Sequence, residues 1–232
     1  MSAAPASKLG VLCGLVSEAD ILRHAAPADA QPLVAITAAR PANTRACAER
    51  LVAQGATCIV SFGLAGALDP HLAPGTLLLP TRVIGPDRTA HETDATWRRR
   101  LEAMAGAESC NTLLGSDSVV TTAADKARLC RETGAAAVDM ESHVAASVAA
   151  SAKLPFLVVR AVADPATRAI PQAAMAGLDA EGRTLVLPVI LALTKRPSQL
   201  PGLLRLAADS RAGFDALRRV ASASQGQLAA AD

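Results

Sequence analysis

Three acidic residues in this 232-residue chain fall just after short apolar runs. Glu18 follows Leu9–Leu15, Glu141 follows Ala136–Val138 behind Asp139-Met140, and Asp164 follows Phe156–Val162. If those runs are parallel strands, their carboxyl ends open on one crevice and the three carboxylates converge there. Such a set suits a reaction in which positive charge develops on a sugar, because carboxylates stabilise an oxocarbenium-like centre and shuttle protons. The alternative is that each is a helix N-cap or first-turn acid, favoured there by the helix dipole. Gly63-Leu64-Ala65-Gly66 follows a further apolar run, Cys58–Phe62. It reads either as a loop that lets backbone approach a sugar or phosphate, or as a tight strand-to-loop turn.

Other chemistries lack their residues. His24, His71, His91 and His143 show no H-x-x-x-H or H-E-x-x-H spacing, so no metal site is expected. There is no G-x-S-x-G elbow, no G-x-G-x-x-G and no G-x-x-x-x-G-K-[ST]. Cys13, Cys47, Cys58, Cys110 and Cys130 form no C-x-x-C pair and are expected as reduced thiols. Aromatic residues make up 2% of the chain and the net charge is +2, which argues against a nucleic-acid surface. Trp97-Arg98-Arg99-Arg100 reads as a solvated helix face, with an anionic-lipid or phosphate contact as the other reading.

Elements that would position the carboxylates can be read from the apolar pattern. Strands are expected at Leu9–Leu15, Leu33–Thr37, Cys58–Phe62, Thr76–Leu79, Arg82–Ile84, Thr112–Leu114, Ala136–Val138 and Phe156–Val162. Helices are expected at Ala19–His24, Asn43–Gln54, Trp97–Met104, Ala123–Arg131 and Glu141–Ala152, with two or three more in Gly182–Ala223, broken near Pro197 and Pro201. With 51% apolar and 19% charged residues the chain can bury a core. The alternation implies an α/β fold with a mixed, mostly parallel central sheet flanked by helices. The expected organisation is a flexible N-terminus over 1–8, a single domain over 9–223 and a flexible tail over 224–232. Leu9–Val16 is too short and wrongly flanked for a signal peptide. Leu185–Leu193, interrupted by Pro188, falls short of the roughly 20 residues that span a bilayer. A cytoplasmic protein is expected. Leu200–Val220 is amphipathic, with Leu203, Leu204, Leu206, Phe214, Leu217 and Val220 opposed to four arginines. It is read as packing on the sheet or a second subunit, or as a peripheral contact with the inner membrane.

Three segments carry a family resemblance. Ser61-Phe62-Gly63-Leu64-Ala65-Gly66-Ala67-Leu68-Asp69-Pro70 with Pro74–Pro80, then Ala137-Val138-Asp139-Met140-Glu141-Ser142, then Pro155–Asp164, resemble motifs of the nucleoside phosphorylase/nucleosidase superfamily in the same order, over roughly residues 9–195. The first two are most similar to the hopanoid-associated phosphorylases. The resemblance implies release of adenine from adenosylhopane, a lipid-tailed purine nucleoside. It also implies roles: Glu18 orients the attacking water, Met140 and Glu141 hold the ribose, and Asp164 protonates N7 of the purine. Leu64, Ala65, Gly66, Val119 and Val120 would line the base and the nucleophile side. It implies no cofactor, leaves inorganic phosphate open as a co-substrate, and suggests a homodimer.

The chain departs from the family pattern at several of these positions. Val119 stands where methylthioadenosine nucleosidases place a stacking Phe, Leu64 where a Ser usually follows the first glycine, and Ala163 where a Ser or Thr precedes the acid. Ser61 or Phe62 occupies the place of a phosphate-holding arginine. The reading is therefore hydrolysis. Its alternatives are a methylthioadenosine/S-adenosylhomocysteine nucleosidase, a purine nucleoside phosphorylase of salvage, and a non-catalytic nucleoside-binding protein.

Overall fold

The computed structural model describes residues 8–177, 179 and 181–228. Strand β1 (Leu9–Cys13) leads into α1 (Val16–Ala25), β2 (Leu33–Ile36), α2 (Pro41–Ala53) and the long β3 (Cys58–Ala67). Then come β4 (Leu77–Ile84), β5 (Ala90–Glu92), α3 (Ala95–Ala105), β6 (Glu108–Gly115), α4 (Ala123–Thr133), β7 (Ala137–Asp139), α5 (Ser142–Ala152) and β8 (Phe156–Asp164). A 3-10 turn over Gln172–Gly177, α6 (Val186–Lys195), a second 3-10 turn over Pro197–Gln199 and α7 (Leu200–Ala223) complete the chain.

The sheet is mixed and mostly parallel. β1 pairs in parallel with β2 and β3, β3 with β8, β4 with β6, and β6 with β7. β3–β7, β4–β5 and β4–β8 are antiparallel. Because β8 bonds to both β3 and β4, the path β3-β7-β6-β4-β8 returns to β3, and five strands close into a small barrel. The strands are therefore not laid out as a simple open parallel sheet. Closure is made possible by the ten-residue length of β3, whose first four residues pair with β1 and whose last two pair with β7, with a register shift against β8 at Ala65/Gly66.

Alternating side chains of the central strands feed two cores, as expected for strands covered on both faces. Ile59 and Val158 join one core, with Cys47, Ala48 and Leu51 of α2 and Ala145 and Ala149 of α5. Val60, Phe62, Leu157 and Val159 join the other, with Leu22 of α1, Leu101 of α3, and Leu217 and Val220 of α7. All nine residues of β8 are buried, including Arg160 and Asp164. The C-terminal part of the amphipathic segment thus packs on the sheet. Pro201 lies in the first turn of α7, a position that needs no backbone N–H donor, and does not break a helix.

One expectation is corrected at the chain's end and one in part at the arginine run, where Arg99 and Arg100 are exposed as a solvated face but Trp97 is not. Residues 224–228 are not a free tail: Leu228 is fully buried, its carbonyl accepts from Trp97 Nε1 at 2.6 Å, and Gln227 reaches Ala30. Trp97 is itself buried, so it anchors this segment, and Arg98 pairs with Glu102 one turn on. The aromatic body needed an apolar site and its N–H a buried acceptor, and the C-terminal residues supply both. Residues 1–7 and 229–232 lie outside the described residues.

Candidate active site

A cavity of about 200 Å³ opens where β1, β2, β3, β6, β7 and β8 end. Its lining includes every residue singled out in the sequence for a site role: Glu18, Leu64, Ala65, Gly66, Val119, Val120, Met140, Glu141 and Asp164. Gly14, Leu15, Ala39, Ser118, Val138, Asp139, Ala163 and Ile170 complete the wall. Glu18, Glu141 and Asp164 are all buried.

Glu18 lies in the first turn of α1 and serves both readings of a first-turn acid at once. Its Oε2 accepts the backbone N–H of Leu15 at 2.9 Å, bonding the start of its own helix, while Oε1 accepts the N–H of Leu64 at 2.8 Å. The second bond ties β1's end to the glycine loop. That approach explains Gly63, where a Cβ would lie 2.5 Å from Glu18 Oε1 and 2.6 Å from Arg160 Nη1. A Cβ on Gly14 would lie 2.8 Å from Glu141 Oε1.

Arg160 is the buried centre of this side of the cavity. It is 1% exposed, and its Nη2 donates to Glu141 Oε2 at 2.9 Å and to Ser61 Oγ at 2.7 Å. The same group pairs with Asp139, and Nη1 reaches the Leu64 carbonyl at 3.4 Å. Ser142 bonds both Ser61 and Asp139, closing the network. One guanidinium thus faces Asp139, Glu141 and Glu18, more carboxylates than it can neutralise. Burial raises the Glu18 carboxyl above its usual range, against the pull of Arg160 and the backbone N–H groups. Glu141 is pushed up to about 7: burial raises it, Arg160 opposes, and Asp139 and Glu18 add to the rise.

The stability consequence has a definite sign. A carboxyl whose folded pKa exceeds its unfolded value contributes stability below the unfolded pKa and loses it as pH rises through the folded one. For Glu141 that window runs from 4.5 to about 7. Over it, wild type should lose about 3 kcal/mol relative to Glu141→Gln, since each pH unit is worth about 1.4 kcal/mol. Urea unfolding of both proteins at pH 4.5 and 7.5 reads this directly. A constant difference between them would mean that Glu141 ionises as freely folded as unfolded.

Asp164 sits on the opposite wall, and its partner is Lys126. That lysine, from α4, is 0% exposed, and its ammonium pairs with Asp164 Oδ2 and donates to the carbonyls of Pro165 and Arg168 at 3.0 Å each. Three acceptors satisfy all three donors of an ammonium. Oδ1 is the oxygen left for a ligand. Burial raises the Asp164 carboxyl and Lys126 draws it back, with burial the larger influence.

Sequence reasoning found most of the wall of the cavity and missed Asp139 within it and the groups that stand behind it. Asp139, Ser61, Ser142 and Arg160 all lie inside the quoted motifs, yet none was given a role. Arg160 had a usable signal, since a charge within a run as apolar as Phe156–Val162 must be buried with partners. Lys126 had none, being one of several charges on α4. His143 is not in the lining of the cavity; its Nε2 meets Asp117 at 3.1 Å. Among the described residues no group of three or more His, Cys, Asp or Glu is arranged to hold a metal ion.

Residues 28–185 match the family model described as the Phosphorylase superfamily. A search of curated protein sequences finds no match. Among solved structures, the chain is similar to 5′-methylthioadenosine/S-adenosylhomocysteine nucleosidase from Helicobacter pylori bound to butyl-thio-DADMe-Immucillin-A. The TM-score is 0.68 at 17% identity, over 94% of this chain and 98% of that one. The Neisseria meningitidis enzyme of the same name, with methylthio-immucillin-A, gives a TM-score of 0.67 at 14% identity, over 93% and 99%. Futalosine hydrolase of Helicobacter pylori gives 0.66 at 15% identity, over 92% and 97%. At these identities the structural likeness speaks for the fold, and the family match extends it to membership. With the glycine loop, the V-D-M-E segment and the β8 acid meeting in one cavity, the chain belongs to the phosphorylase superfamily, whose enzymes cleave N-glycosidic bonds.

Proposed function

We propose that this protein hydrolyses the N-ribosidic bond of a purine nucleoside, releasing adenine from adenosylhopane. The observation that carries the chemistry is four buried carboxyls, Glu18, Asp139, Glu141 and Asp164, on one cavity whose described lining contains no cationic side chain. Arg160 and Lys126 lie behind the wall, committed to carboxylates. A dianionic phosphate in such a cavity would face negative charge without a partner, whereas a water is a neutral guest there. Hydrolysis follows from that balance.

In this reading Asp164, whose carboxyl burial holds above its usual range, gives its proton to N7 and lets the base depart neutral. Lys126 then stabilises the carboxylate left behind, an interaction that strengthens as the reaction proceeds. Glu18 orients and deprotonates the attacking water on the other side of the sugar. Glu141 and the Met140 segment hold the ribose, with Glu141 accepting from hydroxyls that grow more acidic as charge develops. Leu64, Ala65 and Gly66 offer backbone to the sugar and nucleophile side, and Val119 and Val120 line the base. A space of about 200 Å³ cannot enclose a nucleoside together with a polycyclic tail, so such a tail, carried on the ribose, would lie outside the cavity.

A second reading is 5′-methylthioadenosine/S-adenosylhomocysteine hydrolysis, favoured by the activity named for two of the similar structures. Adenine release from adenosylhopane, methylthioadenosine and adenosine, each with and without phosphate, separates the two. Turnover of the lipid nucleoside alone, unaffected by phosphate, is expected. Turnover of methylthioadenosine alone would transfer the site to the second reading, and strict phosphate dependence would overturn hydrolysis.

A further inference from the structure

Residues 182–208 contain four cations, Arg183, Lys195, Arg196 and Arg205, and no Asp or Glu. They are also where the molecule shows most of its exposed apolar bulk. Leu187, Ile190 and Leu191 form a stripe on α6 at helical spacing, exposed by 67%, 49% and 57%. Leu200 and Leu204 are exposed on the first turns of α7, as are Leu185 just before α6 and Met175 on the 3-10 turn at Gln172–Gly177. All four cations are exposed, Lys195 one turn after Leu191 on α6 and Arg205 next to Leu204 on α7, and Arg196 also donates to Gln172. Between the 3-10 turn at Gln172–Gly177 and α6 runs a groove of about 460 Å³, floored by Ala173, Pro188, Leu191 and Ala192, with Lys195 and Arg196 at one end. An apolar floor with a cationic end fits a group that is itself apolar along its length and anionic at its head.

We infer that this face docks on an anionic phospholipid bilayer, with the leucine–isoleucine stripe entering the interface and the four cations meeting the headgroups. An apolar helix face rimmed by Lys and Arg is the composition that lies in a membrane surface, where apolar burial and attraction to anionic lipid add. No helix among the described residues is long and apolar enough to cross a membrane, so the contact is peripheral. A second copy of the chain fits this face poorly. Two-fold pairing would set cations against cations with no carboxylate among residues 182–208 to answer them.

The face adjoins the cavity. The segment between β8 and α6 places Ile170 in the cavity wall and brings Gly182 against β1's end, where its carbonyl accepts the N–H of Val16 at 3.0 Å. A protein resting on this face would hold its cavity near the lipid surface. The inference does not depend on the reaction proposed above, because a vesicle without nucleoside is a sufficient probe.

Co-sedimentation of the full chain with phosphatidylglycerol/phosphatidylcholine vesicles tests it, beside pure phosphatidylcholine vesicles and a salt series. Binding to the anionic vesicles that weakens with salt is expected. Lys195→Glu with Arg196→Glu should weaken it by roughly tenfold or more, since each cation near such a surface is worth about fivefold. Leu187→Ser with Leu191→Ser should weaken it on both vesicle types. These positions are exposed, so circular dichroism and thermal unfolding should match wild type. Absence of binding to anionic vesicles, or binding indifferent to both pairs of substitutions, would overturn the inference. So would a stable dimer in sedimentation velocity that the serine pair dissociates, because the face would then be covered by a second copy.

Discussion

Asp164→Asn is expected to lower the rate of adenine release by roughly 10²–10⁴-fold while the protein stays folded, the range that a single proton donor supplies. The amide has the shape of the carboxyl and keeps an oxygen for Lys126, so the buried ammonium retains its three acceptors. What is lost is the proton. Two further signatures tie the loss to that proton rather than to a disturbed cavity. Wild-type activity should fall on the alkaline side as Asp164 ionises, at a pH above the ordinary carboxylate range because burial outweighs Lys126. The residual activity of the variant should lack that limb. A riboside whose leaving group departs without protonation, such as a nitrophenol, should be cleaved by the variant nearly as fast as by wild type. Asp164→Asn activity on the purine nucleoside within about threefold of wild type would remove Asp164 from the acid role.

Lys126 changes what the acid assignment means. In the sequence, Ala163 offers Asp164 no hydroxyl where the family pattern has a Ser or Thr. The structure replaces a neutral neighbour by a buried cation. A cation beside a general acid is a handicap before proton transfer and an aid after it, since it stabilises the anion that transfer creates. Burial offsets the handicap, and the net upward shift of Asp164 is the outcome of the two.

The wall of the cavity was legible because strand-end acids and a glycine loop are local patterns: each can be seen within a few residues of a recognisable strand. Order along the chain then predicted their convergence, and the cavity at the ends of the strands brings all nine residues together. Interactions made across the fold were not legible. Lys126 reaches Asp164 over 38 residues, and Trp97 reaches Leu228 over 131. Nothing within either local segment distinguishes these side chains from solvated neighbours. Closure of the barrel was hidden for a related reason. It depends on β8 pairing with β4 as well as β3, and one apolar strand reads the same whether it has one partner or two. The positive φ angles of Ala38 and Ala39, at the rim beside β2, had no signal either, because alanine is not a residue that announces such a turn.

Arg160→Leu should cost about 3–5 kcal/mol of stability, the expected effect of removing one partner from a buried ionic group. Typical domains hold only about 5–15 kcal/mol in total, so the variant will sit near the limit of folding. Leucine fills much of the space, so packing alone would predict a smaller loss that ignores pH. Charge predicts otherwise. Arg160 draws the pKa values of both Glu18 and Glu141 down, and without it burial and mutual repulsion push them further up. At pH 5 these carboxyls can stay protonated in the folded state and the deficit should shrink. At pH 8 they must ionise against one another, and the deficit should be largest. Thermal or urea unfolding of wild type and variant at the two pH values measures the contrast. Arg160→Lys should fall between them, because an ammonium restores the charge but cannot reach Ser61, Glu141 and the Leu64 carbonyl from one planar group. A deficit for Arg160→Leu that is equal at both values would place Arg160 in the packing of the core and leave the carboxylates to be neutralised by their own protons.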